Sequence, residues 1–441
     1  MDTIFALATP AGGAIAIMRV SGPGCVGVLA GLTAIECKAR PRQLLRAALA
    51  YGGHRLDDAM VVYFPAPGSY TGEDMFELHC HGGVAVLQAV HNALLALGAK
   101  PAAPGEFTKR AFLNGKLDLS QAEAVMDLIG AQARLSARAA LRQMQGKLSE
   151  AVRAVEAHVI GTLGAINAAI DYPDEVGEEV YADLSCRLSC AAGMLSALIE
   201  QGYRARVLRD GFRVVLLGAP NAGKSSLLNA LLGRRRAIVT ASPGTTRDTL
   251  DELIPISGMP VMFTDTAGIR QTDDEAEREG VTRAWAAAQN ADLVFVLLDG
   301  AAKPDENGRA LLRDTAGMRR VVLCTKADMP AAWLVADMPA LAGEKVVCVS
   351  AITGEGLDAL LKTILEYAAP VEDALITNQR HISALENALG AIENARAHGQ
   401  TDPDCVGTDL RDALSALGAI TGNDVDESVI DHIFERFCVG K

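Results

Sequence analysis

The sequence predicts a multidomain α+β protein: an N-terminal α+β domain, an all-α domain that is discontinuous in sequence, and an α/β domain inserted into it. The length of 441 residues allows about two to four domains. Residues 1–117 alternate short apolar runs with glycine and proline, as strands and turns do. Residues 211–368 alternate compact apolar runs with helical stretches, and helix-forming composition lies on both sides of that region.

In the N-terminal region the apolar runs are short and separated by turn residues. They predict strands at Ala14–Val20, Ala59–Phe64 and Phe76–Cys80, and one helical stretch near Val84–Leu97. We therefore expect residues 1–117 to form one domain that mixes strands and helices.

Two regions are rich in Ala, Leu, Gln, Glu and Arg, with apolar positions recurring every three or four residues: 118–210 and 369–441. The segment Asp171-Tyr172-Pro173-Asp174 interrupts the first of them. Because an isolated helix pair cannot bury both of its apolar faces, we infer that the two regions form one helical domain, split in sequence.

Between these helical regions, residues 211–368 carry five compact apolar runs that alternate with helical stretches. This order predicts a parallel sheet with helices on both faces. The predicted strands are Arg213–Leu217, Val261–Thr264, Leu293–Leu298, Val321–Cys324 and Val346–Val349.

The composition indicates a soluble cytoplasmic protein with no membrane association. No apolar stretch approaches the roughly 18 residues that a spanning helix needs, and the start, Met1-Asp2-Thr3, lacks a basic signal-peptide region. The nine cysteines include no C-x-x-C pair, so a disulfide framework is disfavoured.

The net charge of −13 excludes non-specific coating of nucleic acid, so any RNA contact requires a local basic patch. Two arginine clusters could provide it, although solvated arginines are commoner. They are Arg234, Arg235 and Arg236, and Arg204, Arg206, Arg209 and Arg213.

A phosphate-binding motif follows the first strand of the α/β region. Gly218-Ala-Pro-Asn-Ala-Gly223-Lys224-Ser225 matches G-x-x-x-x-G-K-[ST] and precedes a helical run. Its backbone N–H groups would surround phosphate oxygens at a helix N-terminus. Lys224 would supply charge to the β- and γ-phosphates, and the Ser225 hydroxyl would bind magnesium. The region is therefore predicted to be a Ras-like α/β P-loop domain.

Two further segments fit a nucleotide switch. Asp265-Thr266-Ala267-Gly268 follows a strand, so Asp265 could hold magnesium through a water and the Gly268 amide could meet the γ-phosphate. In Gly244-Thr245-Thr246-Arg247-Asp248, a threonine hydroxyl could complete the magnesium shell while the γ-phosphate is present.

Guanine recognition is expected at Thr325-Lys326-Ala327-Asp328. Asp328 can accept hydrogen bonds from the N1 and N2 donors of guanine, which adenine lacks. The first position is usually Asn in GTPases, so Thr325 removes an amide that would bridge the base and the phosphate loop. We expect GTP selectivity to survive and affinity to drop. Ser350-Ala351 fits the last loop on the guanine side.

Ras-like enzymes orient the attacking water with a Gln after D-x-x-G, but this chain has Ile269 there. Hydrolysis therefore needs another source of positive charge and another polar residue. Asn221 could help to hold a monovalent cation. Glu277 could position water, although composition alone favours a different interpretation, in which its acidic stretch is the solvated start of a helix.

These features together resemble the tRNA modification GTPase family MnmE (TrmE), over essentially the whole chain and in its domain order. The nucleotide-side features are Asn221, Gly244-Thr245-Thr246-Arg247, Asp265-Thr266-Ala267-Gly268 and the acidic stretch after it. The others are Ala8-Thr9-Pro10, Arg19-Val20-Ser21-Gly22, Tyr70-Thr71-Gly72-Glu73-Asp74, His81-Gly82-Gly83, Pro104-Gly105-Glu106-Phe107-Thr108, Ala111-Phe112-Leu113-Asn114-Gly115-Lys116-Leu117-Asp118 and Phe437-Cys438-Val439-Gly440-Lys441.

The resemblance implies a homodimer with a tetrahydrofolate-binding N-terminal domain (1–117), a split helical domain (118–210 and 369–441) and a GTPase domain (211–368) activated by potassium-dependent dimerisation. It implies that the protein works with the flavoprotein MnmG, which would carry the FAD. Together they would add an aminomethyl or carboxymethylaminomethyl group at carbon 5 of the wobble uridine of certain tRNAs. The carbon would come from methylene-tetrahydrofolate.

The resemblance also implies site residues. For GTP they are Asn221, Ala222, Gly223, Lys224, Ser225, Ser226, Thr240, Ala241, Ser242, Pro243, Gly244, Thr245, Thr246, Asp265, Thr266, Ala267, Gly268, Thr325, Lys326, Ala327, Asp328, Ser350, Ala351 and Ile352. Magnesium would be held by Ser225 and Thr246, potassium by Asn221, Thr240, Ser242 and Thr245, and folate by Arg19, Glu77, Lys116 and Lys441. The implied catalytic residues are Glu277, Asn221 and Cys438.

The sequence leaves two alternative interpretations open. Arg19 and Glu77 could instead form a simple surface ion pair. The whole chain could also be a regulatory GTPase, such as a ribosome-assembly factor, which acts as a binding switch without modification chemistry.

Overall fold

The structure, a computed structural model, describes residues 2–35, 40–236, 251–265, 275–369, 371–399 and 402–440. The chain divides into two compact units. The first comprises Met1–Met126, Leu141–Ser196 and Ser383–Lys441, and the second comprises Asp127–Ala140 and Ala197–Ile382.

The N-terminal region contains short strands and helices in alternation. In chain order they are β1 (Ile4–Leu7), β2 (Ile15–Ser21), α1 (Cys25–Leu32), β3 (Leu45–Tyr51), β4 (His54–Phe64), β5 (Met75–His81), α2 (Val84–Ala96), β6 (Lys100–Pro101) and α3 (Glu106–Leu113).

The six strands form one sheet in the order β3-β4-β5-β2-β1-β6. Among the strand pairs that the structure describes in this sheet, only β1–β6 is parallel. Alternate residues of β2 point to opposite faces, so Ala16, Met18 and Val20 enter a core that also contains residues of α1 and α2. Arg19 lies on the other face and pairs in register with Glu77 of β5.

Helices then follow one another without strands. They are α4 (Leu119–Gly130), α5 (Arg134–Met144), α6 (Lys147–Asp171), α7 (Glu178–Ala205) and α8 (Val207–Asp210). The break after α6 matches the predicted interruption. The Tyr172 amide still donates to the Ala168 carbonyl, and then Pro173, which lacks an N–H, begins a wider π-type turn before α7.

The second sheet follows, with its helices between the strands. The elements are β7 (Phe212–Gly218), α9 (Lys224–Arg236), β8 (Asp251–Ile256), β9 (Met259–Asp265), α10 (Glu275–Gln289), β10 (Leu293–Asp299), α11 (Glu306–Asp314), β11 (Arg320–Thr325), β12 (Val346–Cys348) and α12 (Leu357–Ala368), with short 3₁₀ turns at Val335–Asp337 and Pro339–Leu341.

The strand order is β12-β11-β10-β7-β9-β8. All neighbours are parallel except β8 and β9. Two apolar clusters lie on opposite faces of this sheet, one containing Val214 and Leu216 and the other Val215 and Leu217. A parallel sheet buried on both faces is therefore present, as the sequence predicted.

The described residues after α12 form the helices α13 (Gln379–His398), α14 (Pro403–Thr421) and α15 (Glu427–Phe434). In the first unit α14 packs along α6, with Leu410, Ala413 and Leu417 fully buried. The predicted multidomain α+β fold class is confirmed, while the predicted domain boundaries stay a prediction.

One helical stretch in the described part of the chain, Pro173–Asp210, is long and apolar enough to cross a membrane by length and composition alone. Core helices of soluble proteins pass the same test, so this stretch is weak support for a membrane span.

Candidate functional site

The phosphate-loop motif connects the end of β7 to the start of α9. Asn221 has φ of 65° and Gly223 has φ of 90°, a left-handed region that favours glycine and is tolerated by asparagine. The resulting curve turns successive backbone N–H groups toward one side, at the N-terminus of α9. Such a concave loop binds anions through its N–H groups and the helix dipole.

Lys224 lies within this loop and is 7% exposed. Its Nζ donates hydrogen bonds to the carbonyl oxygens of Gly218 at 3.0 Å and Ala219 at 3.2 Å. Burial lowers the pKa of Lys224, and the nearby Asp265 carboxylate partly opposes that shift. A phosphate would favour the charged form of this ammonium group more strongly than neutral carbonyls do.

Ser225 and Asp265 bring a hydroxyl and a carboxylate together beside the loop. Ser225 Oγ donates to Asp265 Oδ2 at 2.8 Å. The other carboxylate oxygen, Oδ1, is buried and has no hydrogen-bond partner among the described residues. A hydroxyl beside a carboxylate whose second oxygen has no partner suits a hard divalent cation such as magnesium.

Thr325 connects the end of β11 to the phosphate loop. Its Oγ1 lies 2.8 Å from the Ala222 carbonyl and 3.1 Å from the Leu298 carbonyl, and the residue is buried. The expected loss of the bridge is therefore only partial. The threonine hydroxyl keeps a hydrogen bond to the loop, although it is too short to supply the second, base-side half of an amide bridge.

The next residue, Lys326, has a left-handed backbone conformation, with φ of 59°. Its Nζ pairs with Asp299 Oδ2 at 2.6 Å. The Asp299 carbonyl in turn accepts a hydrogen bond from Trp333 Nε1. Sequence reasoning missed Asp299, whose position at the end of β10, beside two predicted nucleotide-site strands, was the available signal.

Asp328 and Ser350 connect the two predicted guanine-side loops. Ser350 Oγ donates to Asp328 Oδ1 at 2.6 Å, and the Ala327 amide donates to the Val349 carbonyl at 3.1 Å. Ser350 Oγ also accepts from the Ile352 amide at 3.2 Å. The Asp328 carboxylate is thus oriented by a fully buried serine, which suits recognition of two adjacent N–H groups.

Several predicted residues lie outside the described part of the chain. They are Thr240, Ala241, Ser242, Pro243, Gly244, Thr245, Thr246, Thr266, Ala267, Gly268 and Lys441. Glu277 belongs to α10, but the position of its side chain is likewise outside the described structure. The described nucleotide-site residues thus come from the phosphate loop, the end of β9 and the two guanine-side loops.

The first unit carries a second polar site, on the face of the sheet that bears Arg19. Arg19 Nε donates to Glu77 Oε1 at 2.9 Å, and both side chains are about six-sevenths buried, at 16% and 14% exposure. The Arg19 guanidinium lies 5.6 Å from the Tyr70 ring centre and 5.7 Å from that of Phe107. This pair is more enclosed than the simple surface ion pair that the sequence left open.

The C-terminal segment reaches the same site. Arg19 Nη1 donates to the Gly440 carbonyl at 3.4 Å, and a Cβ on Gly440 would clash with the Leu7 carbonyl oxygen. Cys438 is exposed two residues earlier. Lys116 Nζ donates to the Pro67 carbonyl instead, so its hydrogen bond does not join the Arg19–Glu77 pair.

A buried polar network in the same unit was not predicted from the sequence. Ser21 Oγ is 2.7 Å from Thr71 Oγ1 and donates to Glu73 Oε2 at 2.9 Å. Arg110, whose side chain is 5% exposed, pairs with Glu73 at 3.1 Å and with Glu106 at 2.7 Å. The motifs around residues 19–22, 70–74 and 104–108 thus supply residues of this network, and the first of them also contains the candidate ligand Arg19.

A phosphate loop between the first strand and helix of a mostly parallel sheet, with Lys224, Ser225 and Asp265 beside it and an oriented Asp328, defines a P-loop GTPase. The protein-family model described as the GTP-binding protein TrmE N-terminus matches residues 3–116. The protein-family model described as the MnmE helical domain matches residues 119–438. The chain belongs to the MnmE family of tRNA modification GTPases and is a GTPase.

Full-length relatives agree with this membership. The tRNA modification GTPase MnmE of Geotalea uraniireducens is 39% identical over 457 residues, which cover 100% of this chain and 99% of the relative. That of Thermus thermophilus is 41% identical over 449 residues, with the same coverage. Among solved structures, the G domain of the T. maritima FeoB iron transporter is similar over 35% of this chain and 98% of its own, with 30% identity and a TM-score of 0.28.

Proposed function

We propose that this GTPase acts with the flavoprotein MnmG to install an aminomethyl or carboxymethylaminomethyl group at carbon 5 of the wobble uridine of certain tRNAs. GTP binding and hydrolysis would switch the protein between states that permit and interrupt the modification. The one-carbon unit would come from methylene-tetrahydrofolate. The FAD would belong to the partner, and the protein would work as a cytoplasmic homodimer.

In nucleotide binding, each residue of the site would have a separate role. The phosphate-loop amides and Lys224 hold the β- and γ-phosphates, and Asp328 recognises guanine. Ser225 and Thr246 would hold magnesium, with Asp265 acting through a water. When bound, magnesium neutralises charge that develops on the transferred phosphoryl group. The hydrogen bond from Ser225 to Asp265, and the unsatisfied Asp265 Oδ1, support this assignment.

Hydrolysis requires a group that orients the attacking water and a positive charge on the phosphates, and Ile269, which stands where Ras-like enzymes carry Gln, provides neither. We assign that charge to a potassium ion held by Asn221, Thr240, Ser242 and Thr245 when two G domains dimerise, and the positioning of water to Glu277. Asn221 is available to bind such an ion. It is exposed in the phosphate loop, and its side-chain amide makes no hydrogen bond to another described side chain or backbone group. An alkali ion there would take the place of an arginine finger.

The modification half of the proposal rests on the Arg19–Glu77 site. A pterin ring presents N–H groups that suit a carboxylate such as Glu77, which the ion pair with Arg19 orients, and a glutamate tail suits the cations of Lys116 and Lys441. The observation that carries the proposal is the contact between Arg19 Nη1 and the Gly440 carbonyl. It joins this enclosed polar site to the segment that bears Cys438, the thiol we assign to the tRNA chemistry.

The test is the rate of GTP hydrolysis in potassium and in sodium, with and without a reduced folate. We expect hydrolysis to be much faster in potassium, with Asn221→Ala removing the difference. Lys303→Ala, which changes an exposed lysine in the same unit, serves as the control and should keep it. Equal rates in the two salts, combined with no folate binding, would favour a regulatory GTPase without modification chemistry.

A further inference from the structure

Two cysteines lie directly opposite each other on neighbouring strands of the second sheet. Cys324 of β11 and Cys348 of β12 are paired in register. Residues paired in a parallel ladder point to the same face, and Cys324 packs with Val346 against the apolar cluster on that face. Neighbouring strands are about 4.7–4.9 Å apart, within the Cα separation of about 4.4–6.8 Å that a disulfide requires.

The two thiols differ in their access to solvent. Cys348 is exposed on β12, the edge strand, whereas Cys324 is half-buried. A Cβ on Gly300 would come within 2.8 Å of Cys324 Sγ, so that sulfur is confined between the loop after β10 and Cys348. Burial, and then the neighbouring Cys348 thiol, raise the pKa of Cys324 to about 12. The exposed thiol is therefore the one that an oxidant meets first.

Both cysteines adjoin the guanine-side loops. Cys324 immediately precedes Thr325, which holds the phosphate loop, and Cys348 is two residues before Ser350, which orients Asp328. The Val349 amide donates to the Cys324 carbonyl at 2.8 Å, and the Ala327 amide donates to the Val349 carbonyl. Any change in the spacing of the two strand ends is thus transmitted to the residues assigned to guanine.

We propose that Cys324 and Cys348 form a reversible disulfide that weakens the binding of guanine nucleotides. Hydrogen peroxide would oxidise the Cys348 thiol to a sulfenic acid and release one water. Cys324 would then lose its proton and attack that sulfur as the thiolate; the S–S bond forms as the S–O bond breaks, and the hydroxide leaves with the proton as a second water. A dithiol would restore both thiols by exchange. Cytosolic disulfides of this kind are transient and redox-sensing.

The direction of the effect follows from geometry. A disulfide draws the two Cβ atoms to about 3.5–4.5 Å, closer than facing residues on adjacent strands normally lie. The ends of β11 and β12 must therefore move toward each other. That movement disturbs the hydrogen bonds from Thr325 to Ala222 and from Ser350 to Asp328, so nucleotide affinity falls.

The proposed disulfide switch rests on the proposed guanine site. The experiment gives different results for a failure of the switch and for a failure of the guanine site. The full-length reduced protein is first titrated with a fluorescent GDP analogue. It is then treated with hydrogen peroxide, digested without reduction for mass spectrometry, and titrated again before and after dithiothreitol. We expect a linked Cys324–Cys348 peptide, a several-fold rise in Kd, and recovery with the reductant.

Cys348→Ser should bind the analogue normally and lose both effects of peroxide. Cys190→Ser, which changes an exposed cysteine in α7, should keep both. Absence of the linked peptide, an unchanged Kd in the linked protein, or a peroxide effect that persists in Cys348→Ser would overturn the inference. Failure of the reduced protein to bind the analogue would instead refute the guanine site, and the inference with it.

Discussion

At the residue scale, Thr325 shows how a departure from a motif can be compensated locally. The hydroxyl is buried and lies within hydrogen-bonding distance of the Ala222 and Leu298 carbonyls. Residue types alone indicated a lost amide. They could not indicate that a threonine hydroxyl would still reach the phosphate loop, because that depends on how closely β11 approaches the loop in the folded sheet.

Replacing Thr325 should therefore weaken nucleotide binding. In Thr325→Ala the phosphate loop loses its hydrogen bond and a buried carbonyl is left unpaired, at a cost of about 1–3 kcal/mol. We expect the Kd for GTP, measured by calorimetry, to rise about fivefold or more, since 1.4 kcal/mol is a factor of about ten. Thr315→Ala is the matched control, since this buried hydroxyl donates to Leu311, outside the nucleotide loops. It should lower stability without changing affinity, and an equal Kd in both variants would contradict the role of Thr325.

Asp328 should determine which base is bound. In Asp328→Asn one acceptor for the guanine N–H groups becomes a donor, so GTP should bind about tenfold or more weakly. Xanthosine triphosphate, which has a carbonyl where guanine has an amino group, should gain affinity. Competition binding with the two nucleotides measures this exchange. The exposed Asp314→Asn should leave both affinities unchanged, and unaltered base preference in Asp328→Asn would exclude this carboxylate from base recognition.

At the scale of elements, compact apolar runs were sufficient to predict most strands. Arg213–Leu217 and Leu293–Leu298 lie within β7 and β10, because strands buried on both faces need continuous apolar residues. The edge strand β8 was not predicted: it begins with two acidic residues and contains Pro255, which an edge tolerates. Helix α1 was also missed, since its eight residues are too few for a clear helical period.

The network around Arg110 should govern the stability of the first unit. In Arg110→Ala the partly buried carboxylates of Glu73 and Glu106 lose their cation, which typically costs about 3–5 kcal/mol. We expect a lower midpoint in chemical denaturation. Arg55→Ala removes an exposed arginine paired with Asp58, so its cost should stay below about 1 kcal/mol. Similar losses in the two variants would show that the network contributes little.

At the scale of the whole molecule, the sequence predicted the fold class and the family, but not the geometry of the sites. The spacing of Gly218, Lys224 and Ser225 follows from local chain geometry, so this motif can be recognised from the sequence alone. The meeting of Arg19 with Gly440 joins residues from opposite ends of the chain. No local pattern encodes such a contact, and only the fold reveals that the C-terminal segment lies beside the Arg19–Glu77 pair.

Cys438 should separate the two activities of the molecule. We expect Cys438→Ser to abolish tRNA modification while GTP hydrolysis continues at its normal rate, because the thiol belongs to the first unit and the nucleotide loops to the second. Parallel assays of phosphate release and of modified uridine measure both. The exposed Cys186→Ser should retain both activities. Full modification by Cys438→Ser would remove this thiol from the chemistry.

Mass spectrometry of the wobble uridine in tRNA from cells that lack this protein tests the proposed modification directly. We predict that the aminomethyl-type group at carbon 5 is missing, and that the wild-type chain restores it while Lys224→Ala, which cannot hold the phosphates, does not. Wobble uridines that remain fully modified without the protein would contradict the proposed function.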